Sequence, residues 1–129
     1  MISSRVKYQT ENQSVTISTA NPNRNGTGTI TPILTGAGPQ DYGTIVKRII
    51  IKATGNTTSG MIRFYLDAGG SYYLFTEVPI SAVTKSASDH SFVTVLDIEF
   101  LLGLNQTLSV STEKAETFIV TVEALGFYF

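Results

Sequence analysis

The sequence predicts an all-β domain, a single antiparallel sandwich or barrel of about eight strands, and three observations predict it. Apolar residues recur at every second position along most of the chain, the period at which a strand alternates its side chains between two faces. Val, Ile and Thr, whose β-branched side chains suit a pleated surface, make up nearly a third of the 129 residues. No stretch carries the spacing of an amphipathic helix, and clusters of Gly, Asn, Ser and Pro punctuate the alternating runs at short intervals. A jelly roll is the favoured topology, with an immunoglobulin-like sandwich second.

Taken in order, residues 1–12 are polar and lack alternation, so they read as an extended N-terminal arm ahead of one domain at 13–129. Arms of this kind are either disordered or laid across a neighbouring subunit. Two weak runs follow, 14–19 and 27–34, separated by the turn-rich Asn21-Pro22-Asn23-Arg24-Asn25-Gly26. Over 44–54, Ile49, Ile51 and Ala53 fall on one face and Arg48, Ile50 and Lys52 on the other. Gly55-Asn56-Thr57-Thr58-Ser59-Gly60 reads as a hairpin connector to a strand at 61–67, with Ile62, Phe64 and Leu66 inward and Arg63, Tyr65 and Asp67 outward. Gly69-Gly70 turns the chain into 72–78, with Tyr72, Leu74, Thr76 and Val78 on one side and Tyr73, Phe75 and Glu77 on the other. Pro79, which has no N–H to donate, is expected to end that ladder. After a polar loop with Lys85, Asp89 and His90, the run 92–100 places Phe92, Thr94, Leu96, Ile98 and Phe100 on one face. Leu108 and Val110, then Phe118, Val120 and Val122, are the buried positions of two last strands at 107–112 and 117–124.

Composition excludes several function classes. With no Cys there is neither a disulfide framework nor a Cys-based zinc site. A net charge of -1 gives no support for nucleic acid, whose affinity comes largely from Lys and Arg neutralising phosphates. Only 15% of residues are charged, below the usual quarter or so, and polar faces are built mainly from Ser and Thr hydroxyls. No apolar run reaches the length of a membrane helix, and the first residues lack the apolar core of a secretory signal, so no membrane partner and no export are expected. The terminal Phe129 invites an outer-membrane barrel, but the runs are short and lack aromatic girdles.

Catalytic and metal-binding patterns are sparse, and no catalytic, cofactor or metal residue is assigned. His90 is the only imidazole, and Ser88, Asp89 and Ser91 beside it in sequence do not create a converging nucleophile, base and orienter. The glycine-rich stretch 36–43 lacks a following helix, whose N-terminal dipole a phosphate loop relies on. Asp97 and Glu99 share a face about 7 Å apart, a separation used by paired carboxylates. Their structural reading is a charge pairing with Arg48, Lys52 or Arg63 on a neighbouring strand. No calcium-loop spacing involves Asp41, Asp67 or Asp89. Four Asn-x-Ser/Thr sequons, at Asn12, Asn25, Asn56 and Asn105, read as products of Asn- and Thr-rich turns.

The informative residues are aromatic. Alternation places Tyr65, Tyr73 and Phe75 on the outward face of two adjacent strands, the position of a second buried layer, a sugar-stacking platform or a protein interface. Phe127, Tyr128 and Phe129 crowd the chain terminus, where a monomer has trouble hiding all three. Together with the polar arm, these six aromatics are the candidate interface of a homo-oligomer.

The stretch Ala53-Thr54-Gly55-Asn56-Thr57-Thr58-Ser59-Gly60-Met61-Ile62-Arg63-Phe64-Tyr65-Leu66, followed by Glu77-Val78-Pro79-Ile80, Ser109-Val110-Ser111-Thr112 and Ala115-Glu116-Thr117-Phe118, resembles small β-rich virion structural proteins of tailed bacteriophages. The resemblance covers roughly residues 28–126; the aromatic end, Leu125-Gly126-Phe127-Tyr128-Phe129, is longer and more aromatic than that pattern. It brings no catalytic residues. It implies a non-enzymatic capsid decoration or cement protein, many of which are trimeric, made in the bacterial host cytoplasm and bound to the major capsid protein on the capsid surface of the virion. The alternative is a carbohydrate- or receptor-binding β-domain of a phage head or tail fibre, with outward aromatics stacked on sugars. A third reading is a small glycosidase-like or isomerase-like enzyme using Asp97 and Glu99.

Overall fold

The computed structural model describes residues 7–36 and 41–128. Among the described residues there is no helix, and ten strands form: β1 (Lys7–Thr10), β2 (Gln13–Ile17), β3 (Thr31–Thr35), β4 (Asp41–Ala53), β5 (Gly60–Ala68), β6 (Ser71–Ile80), β7 (Val93–Leu96), β8 (Phe100–Leu102), β9 (Thr107–Thr112) and β10 (Phe118–Tyr128). They build two antiparallel sheets that face each other as a β-sandwich, not a closed barrel. In the first sheet β10 and β4 are the central strands; β1 and β2 both pair with β10, and β7 and β8 both pair with β4. The second sheet has the order β3-β9-β5-β6. If β1 with β2, and β7 with β8, are each counted as one interrupted strand, eight strands remain. The first pairs with the eighth, the second with the seventh, the third with the sixth and the fourth with the fifth. This nested order is the connectivity of a jelly roll.

The core follows from the alternation. Val46, Ile49 and Ile51 of β4 and Phe118, Val120 and Val122 of β10 turn inward from the first sheet. Ile62 and Phe64 of β5 and Leu108 and Val110 of β9 meet them from the second, and all ten are buried. The turn at Gly69-Gly70 closes the β5–β6 hairpin as expected, with both glycines at positive φ (74° and 91°), the pair of left-handed residues that a two-residue hairpin turn of this kind requires.

Four expectations are corrected by the three-dimensional arrangement. Residues 55–60 do not close a hairpin: β4 lies in the first sheet and β5 in the second, so the connector crosses the sandwich. Buried Thr57 holds it there, its hydroxyl donating to the Ser81 carbonyl at 2.8 Å and its backbone bridging to Val83. Alternation reports which side chains face inward, and inward residues of two facing sheets alternate identically. Pro79 does not end β6, which runs on to Ile80 with Pro79 opposite Met61. β6 is the edge of its sheet, where a missing N–H costs no ladder bond. The run 92–100 is split into β7 and β8, because Asp97, Ile98 and Glu99 bulge opposite Lys47 and Arg48 of β4. Finally, part of the expected arm is a strand: Lys7–Thr10 is laid on the chain's own β10, from Lys7 opposite Tyr128 to Thr10 opposite Leu125. Residues 1–6 lie outside the described residues.

The inward set makes a direct prediction. Phe64→Ala empties a fully buried site and lowers the unfolding free energy by about 3–5 kcal/mol, whereas Leu101→Ala, at a site 63% exposed, changes it by no more than about 0.5 kcal/mol. Urea unfolding of the two variants beside the parent checks the contrast.

Candidate interaction surface

The three aromatics of the expected outward row are separated by one irregularity. Along the β5–β6 hairpin, Phe64 faces Thr76 but Tyr65 faces Leu74, so Phe75 is the extra residue of a β-bulge. A one-residue slip exchanges the two faces of the strand beyond it. Phe75 therefore packs against the core, its ring 4.7 Å from that of Phe100 on the opposite sheet. Tyr73 lies opposite Leu66 near the hairpin tip and is 61% exposed. Tyr65 is fully buried. The outward row of the sequence reading is thus corrected: only Tyr73 of the three is a surface residue. Of the terminal aromatics, Phe127 and Tyr128 belong to β10, between β1 and β4, and Phe129 lies outside the described residues.

Tyr65 does project from the outer face of the second sheet, but a second layer covers it. The loop between β2 and β3 folds over this face. The Tyr65 hydroxyl donates to the Asn23 carbonyl at 3.1 Å, and its ring meets Tyr72 edge-on at 6.3 Å. Asn21, itself buried, ties the loop into a compact unit: its amide donates to the carbonyls of Thr27 and Thr29, and its carbonyl oxygen accepts from the Asn23 N–H. Gly26 sits at φ +84°, where a Cβ would come within 2.6 Å of the Tyr72 carbonyl oxygen. Beside Tyr65, buried Arg63 donates through Nε to Glu77 at 2.9 Å, and the other Glu77 oxygen accepts from Arg24 of the loop at 2.5 Å. Arg24 first, and Arg63 after it, hold the Glu77 carboxyl below its ordinary value. The loop is therefore clamped to the sheet by one carboxylate shared between two guanidinium groups.

The largest group of exposed apolar side chains among the described residues is on the first sheet. Facing away from the core, Val93 and Val95 of β7 are 45% and 48% exposed, Leu101 of β8 63% and Ile119 of β10 38%. Register makes them neighbours: Val95 lies opposite Ile50, Val93 opposite Lys52, Lys52 opposite Ile119, and Leu101 opposite Ile45, which in turn faces Leu125. An ionic belt crosses between these two apolar bands, with Arg48 bonded to Glu123 and Lys47 3.1 Å from Glu99. This surface was visible in the alternation. Once Phe92, Thr94 and Leu96 are inward, the outward positions of the same run are Val93 and Val95, and Ile50 and Ile119 also stand where a solvated face carries polar residues.

The carboxylates do not converge with other chemistry. Asp97 and Glu99 are both exposed, Glu99 is paired with Lys47, and Asp97 adds to the positive charge preference of Arg48. The cross-strand partners are thus Lys47 and Arg48, where the sequence reading named Arg48, Lys52 or Arg63. His90 is in an exposed loop, a ring nitrogen 2.7 Å from the Ser91 carbonyl oxygen. Among the described residues no group of three His, Asp or Glu side chains is placed to hold a metal ion. Among the described residues no helix is long and apolar enough to cross a membrane. No protein-family model matches the chain, and no curated protein matches it either.

The clamp sets a pH dependence. Glu77 has a folded-state pKa below its ordinary 4.5, so its stabilising contribution is complete above that value and is lost as pH falls through the lower folded value. Urea unfolding over an acid pH series should find that Glu77→Gln loses less stability on acidification than the parent, and that Arg24→Ala falls between them. Tyr65→Phe, which deletes only the hydroxyl bonded to Asn23, lowers stability by about 1 kcal/mol, and proteolysis then cuts the β2–β3 loop faster than in the parent.

Proposed function

We propose that the chain is a non-enzymatic virion structural protein that decorates or cements the capsid of a tailed bacteriophage through contacts with its own copies and with the major capsid protein. The observation that carries the adhesive part of this reading is the apolar outer face of the first sheet. Three of its large aliphatic side chains are about half exposed, next to a core that has no need of them. Scattered surface aliphatics are ordinary, but a cluster registered across adjacent strands is the mark of a docking surface. The particle part rests on the resemblance of residues 28–126 to small virion proteins, which also favours a trimer.

Mechanism here is adhesion. A rigid sandwich presents a flat face at fixed geometry, so little conformational freedom is lost on docking. Each contact is modest, and repetition over a shell multiplies it, because a subunit held at one site finds its second partner at high effective concentration. Many such bridges oppose the outward pressure of packaged DNA. The fibre-domain reading asks for a platform of stacked aromatics; Tyr73 alone of the three predicted residues is open to a sugar ring.

Adding the purified chain to particles lacking it tests the proposal. It is expected to co-sediment with empty shells and to raise the temperature at which filled particles release DNA. Val93→Asp combined with Val95→Asp weakens both effects. Shells that sediment without it, or particles whose heat resistance is unchanged, overturn the reading.

A further inference from the structure

The outer face of the first sheet has a charge pattern that selects its partner. Where it is paired with β7–β8, from Thr44 to Lys52, the β4 column carries three outward cations, Lys47, Arg48 and Lys52, and no anion; the adjoining β7–β8 column carries Asp97 and Glu99 and no cation. Two copies stacked face to face with β4 over β4 would oppose like charges. Stacking β4 of each copy over β7–β8 of the other opposes unlike ones, and this places a two-fold axis parallel to the strands, between the two columns. Such an axis keeps every row of the sheet level with the same row of its partner. Ile50, level with Val95, then covers the partner's Val95; Ile45, level with Leu101, covers the partner's Leu101; Arg48, beside the residue that follows Leu96, meets the partner's Asp97. Lys52, level with Val93, lays its aliphatic stem over the partner's Val93; the rows of Ile50 with Val95 and of Ile45 with Leu101 fall apolar on apolar, and the ionic row falls on its complement.

We infer that this face is a two-fold docking surface for a second copy of the chain, with β4 of each protomer seated on β7–β8 of the other. The inference rests on the adhesive reading proposed above and names the partner of its face. The contact is isologous, so each pairing occurs twice. The edge of the same sheet is the poorer route to self-association: β7 is only four residues long, and the break after it carries Asp97 and Glu99. Because β7–β8 is the edge of the sheet, the overlap spans two columns by about eight residues, roughly 250 Å², well below the ~800 Å² per partner of a standard stable interface. The pairing is therefore weak in dilute solution, strengthens with concentration, and is compatible with a three-fold ring formed through another surface.

Sedimentation equilibrium of the full chain, with circular dichroism as the check on folding, tests it. The parent is expected to dimerise as concentration rises, and Val95→Asp to remove the dimer. Arg48→Asp and Asp97→Arg each weaken it on the order of tenfold or more, because each opposes like charges at two symmetric positions. An equimolar mixture of those two variants regains the parent's association, since every 48–97 contact is then oppositely charged; a misfolded variant could not be rescued this way. A parent that does not pair through this face, dimers indifferent to Val95→Asp, or a mixture no stronger than its components overturns the inference. Particle binding retained by a chain that fails these tests leaves the virion role standing without this contact. Pairing as described by a chain that never binds particles leaves the contact and overturns the role.

Discussion

The pairing of β4 with β10 is the constraint on which the rest of the structure depends. These are the longest strands, and they run side by side from Phe118 opposite Ala53 to Tyr128 opposite Asp41. Every other strand of the first sheet hangs on one of them, β1 and β2 on β10 and β7 and β8 on β4. Their partners in the ladder are far apart in sequence, so the pairing closes the chain on itself and encloses the inner strands of the roll. Its inner face supplies Val46, Ile49, Ile51, Phe118, Val120 and Val122 to the core. Its outer face is then free to carry whatever function requires.

The two sheets use their outer faces differently, and the difference is chemical. On the second sheet, Arg63 and Tyr65 alternate with Ile62 and Phe64, and all four are buried. A polar side chain leaving water must find partners, and the β2–β3 loop provides them through Asn23 and, by way of Glu77, Arg24. The first sheet has no such cover among the described residues. Its outer face pairs an ionic belt with aliphatic bands, a composition that a second surface can cover without stranding a charge. A stable sandwich with one face closed by its own loop and one left open suits a subunit whose proposed work is to adhere.

Much of this was legible in the residues. Alternation identified the centre of the core, Ile49 and Ile51, Ile62 and Phe64, Leu108 and Val110, and Phe118, Val120 and Val122, because burial on one side of a strand leaves a period of two in the sequence; Ile17, Ile33, Leu34, Val46 and Leu102, in short or irregular runs, were not singled out. The Gly69-Gly70 turn was legible because only glycine takes two successive left-handed conformations cheaply. The exposed valines at 93 and 95 were equally legible, as β-branched residues at outward positions. Tyr73 and Phe75 were misplaced for a local reason, a bulge that adds one residue to β6 without any mark in composition and changes the face of what lies beyond it; Tyr65 keeps its predicted face and is covered by the β2–β3 loop.

The sequence by itself determined the class of the fold, the rhythm of its strands, the central residues of its core and the absence of cysteine chemistry, since all of these are written in local periodicity and composition. Only the tertiary structure decided which strands share a sheet, that residues 55–60 cross the sandwich, that Tyr65 lies beneath a loop while Val93, Val95 and Leu101 stand open, and that cations and anions fall in separate columns. Those outcomes depend on register between segments distant in the chain. Register is set by the combined packing of both sheets, and no single segment carries it.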